Sequence, residues 1–207
     1  MSIYRKISTF LKPYKPKEYW EKRGRVYKKE YKYSELSEKQ EKVLVDYMKS
    51  LSFDTVLEFG CGFGRITKVL LENFPIKKYV ALDLSPDQLN NAKNLCKGYD
   101  NVTFVQSTIQ DFYPDEKFDL VLGVEVLLHV LPEEIDDVIK KLVSLTKKHL
   151  VHIDWYEDRL PKIRSPHNFI HEYKKIYRKI EGVIEVKTHS VIDKQLLFHA
   201  KIVHDKF

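Results

Sequence analysis

A chain of 207 residues and 24.6 kDa, 43% hydrophobic and 32% charged, with seven Gly and eight Pro, has room for one domain with a real core. That composition excludes collagenous, low-complexity and disordered classes. No apolar run reaches the roughly 18 residues of a membrane helix, the segment from Met1 to Lys6 leads into no signal-peptide apolar region, and two cysteines make neither a disulfide framework nor a metal cluster, so a cytoplasmic protein without a membrane span is expected.

Charge marks the first element. Residues 1–33 hold eleven Lys and Arg against three Glu, a balance of +8; the chain totals +6, so residues 34–207 sum to −2. The same stretch carries six of the thirteen tyrosines and Trp20. Trp20, Tyr27 and Tyr31, at spacings of seven and four, share one helical face, with the Lys and Arg on the other. Such an arm reads as a lid docked by its aromatic face. The alternative is a nucleic-acid tail, since basic residues interleaved with aromatics suit phosphate contact and base stacking.

The body, 34–207, alternates helix and strand patterns. Residues 35–48 read as a helix and 55–59 as a buried strand ending in glycines. Ile66, Val69, Leu70 and Phe74 recur at helical spacing. A strand over 78–83 precedes Ser85-Pro86-Asp87-Gln88, which has a cap serine, proline at the first helical position and glutamine at the capping-box position. Strands follow at 102–106 and 118–124, a helix opens at Pro132, and a fifth strand covers 149–154. A helix over about 166–180 and two strands, 183–189 and 195–203, close the chain.

Strands separated by helices demand crossovers, hence a doubly wound parallel sheet with helices on both faces; the last two strands are too close for a crossover and must be antiparallel. In such sheets the ligand lies beyond the carboxyl ends of the strands, near the topological switch point. That gathers residues 60–64, Asp83, 106–108, Val124-Glu125 and Asp154-Trp155 around one cleft.

The loop Glu58-Phe59-Gly60-Cys61-Gly62-Phe63-Gly64 runs from the first strand into the following helix. A dinucleotide loop would place its third glycine where Arg65 stands, and no G-K-[ST] follows for a P-loop. Asp83 is placed to accept hydrogen bonds from a ribose diol, so a nucleoside without a diphosphate fits best. These residues resemble class I S-adenosylmethionine-dependent methyltransferases: VLEFGCGFG at 56–64, ALDLS at 81–85, VTFVQSTIQDF at 102–112 and FDLVLGVEVLLHV at 118–130 stand in the family's order and spacing. The resemblance covers roughly residues 40–203. It implies an α/β fold with a seven-stranded sheet of order 3-2-1-4-5-7-6, the last strand antiparallel, and S-adenosylmethionine as cofactor, converted to S-adenosylhomocysteine. Gly60, Cys61, Gly62 and Gly64 would form the loop around the methionine and ribose, with Glu58 hydrogen-bonded near it. Asp83 would hold the ribose hydroxyls and Leu84 would pack on the adenine. Thr108 stands where many relatives have Asp, leaving Ile109 N–H for a ring nitrogen; Glu125 would face the amino end, and Trp20 would touch the ligand from the arm.

Methyl transfer from a sulfonium needs alignment and dryness, plus a base when the acceptor carries a proton. Asp154, at the cleft end of the fifth strand, and His171 are the candidate acceptor-side bases. His129 is a further histidine near the cleft, and His167 with His171 would form an i, i+4 pair if helical; no third ligand accompanies them, so no metal is expected. No [DN]-P-P-[YFW] follows the fourth strand and no Pro-Cys nucleophile exists, which speaks against exocyclic-amine and cytosine C5 methylation. The expected activity is methyl transfer to O or N of a small-molecule acceptor; RNA or protein methylation through the arm, or a silent cofactor-binding module, are the alternatives.

Overall fold

The computed structural model describes residues 14–156, 165–192 and 194–204. The arm before Tyr14 and Asp193 of the last turn lie outside them. Helix α1 spans Pro16–Glu30 and α2 spans Glu35–Met48. Pro16 opens α1 where its missing N–H costs nothing; Ser34 caps α2, its hydroxyl accepting from Ser37 N while Ser37 returns the bond to Ser34 N. Then come β1 (Thr55–Phe59), α3 (Arg65–Asn73), β2 (Lys78–Asp83), α4 (Pro86–Leu95), β3 (Val102–Gln106) and β4 (Phe118–Val124). A 3₁₀ turn at Leu127–His129 leads to α5 (Ile135–Leu145), β5 (Thr146–Trp155), α6 (Tyr173–Tyr177), β6 (Val183–Ile192) and β7 (Gln195–Ile202).

The seven strands form one sheet in the order β3-β2-β1-β4-β5-β7-β6. The first five strands pair in parallel; β7 runs antiparallel to both β5 and β6. Alternation splits the core into two layers. Leu57, Phe59, Val121 and Phe198 meet α5 and α6 on one face, and Val56, Leu120, Leu122 and Leu197 meet α2 and α3 on the other. Among the described residues, no helix is long and apolar enough to cross a membrane.

Two expectations are corrected. The helix expected over 166–180 exists only at Tyr173–Tyr177. Before it, residues 165–172 form a non-helical strap: a turn closed by Asn168 N–H to Ser165 O, then Phe169 N–H donating to Leu128 O at 2.7 Å, so pairing with the 3₁₀ turn replaces helical hydrogen bonds. The end strands are also longer than their apolar runs, β5 starting at Thr146 and β6 reaching Ile192, because sheet partners extend strands past their apolar cores.

Candidate functional site

A cavity of about 740 Å³ opens at the carboxyl ends of β1, β2 and β4, walled by α1 on one side and the 165–168 strap on another. The glycine loop forms its floor. Cys61 N–H donates to Leu82 O at 2.8 Å, tying loop to β2, and Gly62 N–H donates to Asp83 Oδ2 at 2.8 Å. Gly62 has φ of 56°, and a Cβ there would meet no atom within 4 Å: it would project into open space at the cavity. Gly64 differs from its expected role. A Cβ on it would lie 2.9 Å from that of Ala92, so this glycine lets α3 approach α4, and it does not line the cavity. The buried Cys61 thiol is pushed well above its ordinary pKa by desolvation, which leaves it un-ionised and inert.

Asp83 sits at the tip of β2 with Oδ2 on Gly62 N and Oδ1 accepting from Ser85 N at 2.8 Å. Each oxygen keeps a second acceptor site, so the carboxylate can still serve a vicinal diol. Ser85 caps α4 through Gln88 N. Asp83 occupies the Ser85 N–H that a capping box would give to the glutamine, and the Gln88 amide donates instead to Gly24 O of α1 at 2.6 Å. Leu84 and Ile109 line the cavity. Thr108 lines it too, with its hydroxyl accepting from Asp111 N and donating to Asp111 Oδ2.

Two further carboxyl groups face this end. Glu58 is buried, with Thr67 Oγ1 and Tyr79 OH both donating to Oε2, at 2.5 and 2.8 Å. Burial pushes its pKa up to about 7. A carboxyl raised this way favours the fold below about pH 4.5, its ordinary value, and that contribution is lost as pH rises through about 7. Glu58→Gln keeps an oxygen for Thr67 and Tyr79 but cannot ionise. Urea denaturation from pH 5 to 8 should therefore show roughly 3 kcal/mol less loss of stability in the variant than in the parent protein. Parallel curves would place the titration elsewhere. Glu125, just beyond β4, has φ of 56°, the left-handed region, and is the non-glycine residue found there among those described. Its N–H donates to Ile153 O at 2.8 Å and Oε1 accepts from Gln195 Nε2 at 2.6 Å; burial raises its pKa also.

Helix α1 supplies the opposite wall. Gly24 packs on α4, while Trp20, Tyr27 and Tyr31 line the cavity, with ring centroids 6.4 Å (Trp20 to Tyr27), 6.1 Å (Tyr27 to Tyr31) and 5.0 Å (Tyr31 to Phe63) apart. Trp20 Nε1 donates to Tyr14 OH at 3.0 Å and Tyr14 OH donates to His129 O at 3.1 Å. Lys15, Lys22, Arg25 and Lys28 are exposed, but the basic residues do not all leave the aromatic face: Lys17 and Arg23 line the cavity, Arg23 over the Tyr27 ring at 5.4 Å.

The acceptor side differs from the sequence reading. Asp154 is fully buried, with Oδ2 2.8 Å from His152 Nδ1 and Oδ1 accepting from Leu128 N at 3.1 Å. The 3₁₀ turn stands between it and the cavity, and His171 is buried behind the same turn; neither lines the cavity. Because the strap is not helical, His167 and His171 do not share a helix face. The histidines on the wall are His129 and His167. His129 Nδ1 lies 3.0 Å from His167 O and its ring 4.5 Å from that of Trp20; burial lowers its pKa to about 4. His167 Nε2 lies 3.3 Å from Tyr19 OH, and burial, reinforced by Arg23, lowers its pKa. Both stand in the sequence near proton-handling groups, as does His171, but His171 packs inside.

Over residues 56–149 the sequence matches the family described as a methyltransferase domain. Phosphoethanolamine N-methyltransferase 3 of Arabidopsis thaliana is 27% identical over 119 residues, 56% of this chain and 24% of that protein. Malonyl-[acyl-carrier protein] O-methyltransferase 1 of Ilyobacter polytropus is 33% identical over 68 residues, 33% of this chain and 25% of that protein. The match thus spans about a quarter of these curated relatives. In fold, the chain is similar to magnesium protoporphyrin IX methyltransferase from Synechocystis PCC 6803 with bound S-adenosylmethionine (TM-score 0.68, 16% identity, 93% of this chain and 99% of that one). It is also similar to the N-methyltransferase NodS from Bradyrhizobium japonicum with S-adenosylhomocysteine (TM-score 0.68, 19% identity, 82% and 88%). Residues 56–149 thus carry a methyltransferase domain, and the strand order around it is the fold of the S-adenosylmethionine-dependent methyltransferases to which the chain is similar.

Proposed function

We propose that the protein transfers a methyl group from S-adenosylmethionine to an O or N atom of a small-molecule acceptor. The observation that carries this reading is the set of acidic acceptors on the cavity floor: Asp83, Glu125 and the partly protonated Glu58 line it where Gly62 leaves open space. Carboxylates in a desolvated wall repel a pyrophosphate and attract a cation, and a ligand bearing both a sulfonium and an ammonium suits them. Asp83 would hold the ribose, Leu84 and Ile109 the adenine, and the Glu58 and Glu125 end the amino acid part. Titration calorimetry should detect S-adenosylmethionine and S-adenosylhomocysteine but not NAD; binding of NAD alone would refute the assignment.

When bound, the cofactor supplies a methyl group on a positively charged sulfur, ready for in-line displacement. The protein aligns the acceptor and excludes water, through Trp20 and Tyr19 of α1 and through the strap. The acceptor's proton is taken by His167. It lines the cavity, burial keeps it neutral at pH 7, and its partial exposure lets the proton pass on to solvent, whereas His129 is too weak a base. His167→Ala should keep cofactor affinity and lower turnover by roughly 10²–10⁴-fold. Unchanged turnover on an acceptor that must lose a proton would remove His167 from the chemistry.

The exposed lysines of α1 support a second reading, an RNA acceptor. It predicts RNA affinity that falls steeply as salt rises.

A further inference from the structure

Two buried glutamines play no part in the fold's hydrophobic logic. Gln40 of α2 is 1% exposed and Gln195, at the start of β7, is 0% exposed. They are joined, Gln40 Nε2 donating to Gln195 Oε1 at 2.9 Å, and the Gln40 amide also hydrogen-bonds the Glu125 carboxylate directly. The pair has a charged group at each end. Arg65 Nη2 donates to Gln40 Oε1 at 2.8 Å, and Gln195 Nε2 donates to Glu125 Oε1 at 2.6 Å. Arg65 is itself held by Glu41, at 2.9 Å, and by Ser37 O.

The chemistry of the ends dictates the direction of the chain. A guanidinium can only donate, so the Gln40 oxygen must face Arg65 and its NH₂ must face Gln195. The oxygen of Gln195 is then occupied, and its NH₂ must point to Glu125. An amide is ordinarily free to flip; here both orientations follow from one cation. Burying two amides costs free energy unless every group is paired, and leucines at these positions would fill the space without that demand. The strained φ of Glu125 points the same way, since a backbone held at a sparsely populated conformation needs its surroundings to keep it there.

We propose that Gln40 and Gln195 are positioning residues through which Arg65 orients the Glu125 carboxylate as the receptor for the ammonium group of the bound cofactor. This rests on the methyltransferase reading above. The chain reaches from α2 and α3 across the sheet to the cavity, so the selectivity of the site for its ligand's amino end is set partly by residues that do not line it.

The test is calorimetric and needs no acceptor. S-adenosylhomocysteine is compared with its analogue in which the α-amino group is replaced by hydrogen. The parent protein should prefer the former by about tenfold to a hundredfold, the range for one hydrogen bond between charged partners. Gln195→Leu should lose that preference, chiefly through weaker S-adenosylhomocysteine binding, while affinity for the analogue changes little. Gln40→Leu is a second variant that removes the other amide of the chain without adding charge beside Glu125; the preference should fall there too. A general packing defect would weaken both ligands alike and leave their ratio intact. Folded Gln195→Leu or Gln40→Leu proteins that keep the ratio within about twofold of the parent would overturn the proposal. Failure of the parent protein to bind S-adenosylhomocysteine at all would overturn the methyltransferase reading, and the relay with it.

Discussion

Gly62→Val should abolish detectable binding of S-adenosylmethionine while leaving a folded protein. The residue sits at φ of 56°, and no atom lies within 4 Å of where its Cβ would stand, so the new side chain displaces ligand and not protein. A β-branched residue in the left-handed region costs roughly 1–2 kcal/mol, enough to lower the melting temperature but not to unfold an ordinary domain. Calorimetry on the folded variant is the check, and near-normal affinity would overturn the glycine-loop assignment. Asp83→Ala is the companion. It removes the proposed ribose acceptor and also the bonds from Gly62 N and Ser85 N, and affinity should fall by roughly 1–3 kcal/mol. Unchanged affinity would show that the ribose lies elsewhere.

Detaching the N-terminal arm should weaken cofactor binding at every salt concentration, if residues 1–33 act as a lid. Gly24, part of the cavity wall at the α1–α4 contact, offers a way to do this without altering the aromatic rings that face the cavity. A Cβ on Gly24 would lie 2.0 Å from Ser85 Oγ and 2.6 Å from Ser85 Cβ, at the α1–α4 contact. Alanine is a better helix former than glycine by about 1 kcal/mol, so Gly24→Ala favours the helix itself while pushing it off α4. The expected result is a red-shifted Trp20 emission, faster proteolysis within the arm and weaker S-adenosylhomocysteine binding, matched by a protein lacking residues 1–33. If the truncated protein kept full affinity and the intact one bound RNA with a steep salt dependence, the arm would be a nucleic-acid tail.

The strand and helix succession, the parallel crossovers and the cleft at the carboxyl ends of β1, β2 and β4 were legible in the sequence, because apolar periodicity and glycine placement are local signals. The same holds for Asp83, whose position at the tip of the second strand follows from the strand's end. Gly64 was read correctly as part of the loop but wrongly as part of the binding surface. What it faces is Ala92 of α4, and helix–helix approach cannot be counted along a chain.

The acceptor side shows the limit more sharply. Alternation along β5 put His152 and Asp154 on one face, as the structure has them, but gave no sign that the Leu127–His129 turn would fold over Asp154 and separate it from the cavity. Phe169, Tyr173, Ile176 and Ile180 stand at helical spacing, yet Phe169 N–H donates to Leu128 O and His167 O meets His129 Nδ1, partners some forty residues earlier, and tertiary pairing outweighs local propensity over 165–172. His167 faces the cavity and His171 packs behind the turn for that reason. The Arg65–Gln40–Gln195–Glu125 chain joins four elements across as many as 155 positions of sequence, and no local pattern announces it. The sequence by itself determined the sheet, the glycine loop and the class of ligand they suit, since each depends on residues within one or two turns of chain. Tertiary structure alone decided which polar side chains line the cavity and which are buried behind it, because burial and hydrogen-bond partnership arise only where distant elements meet.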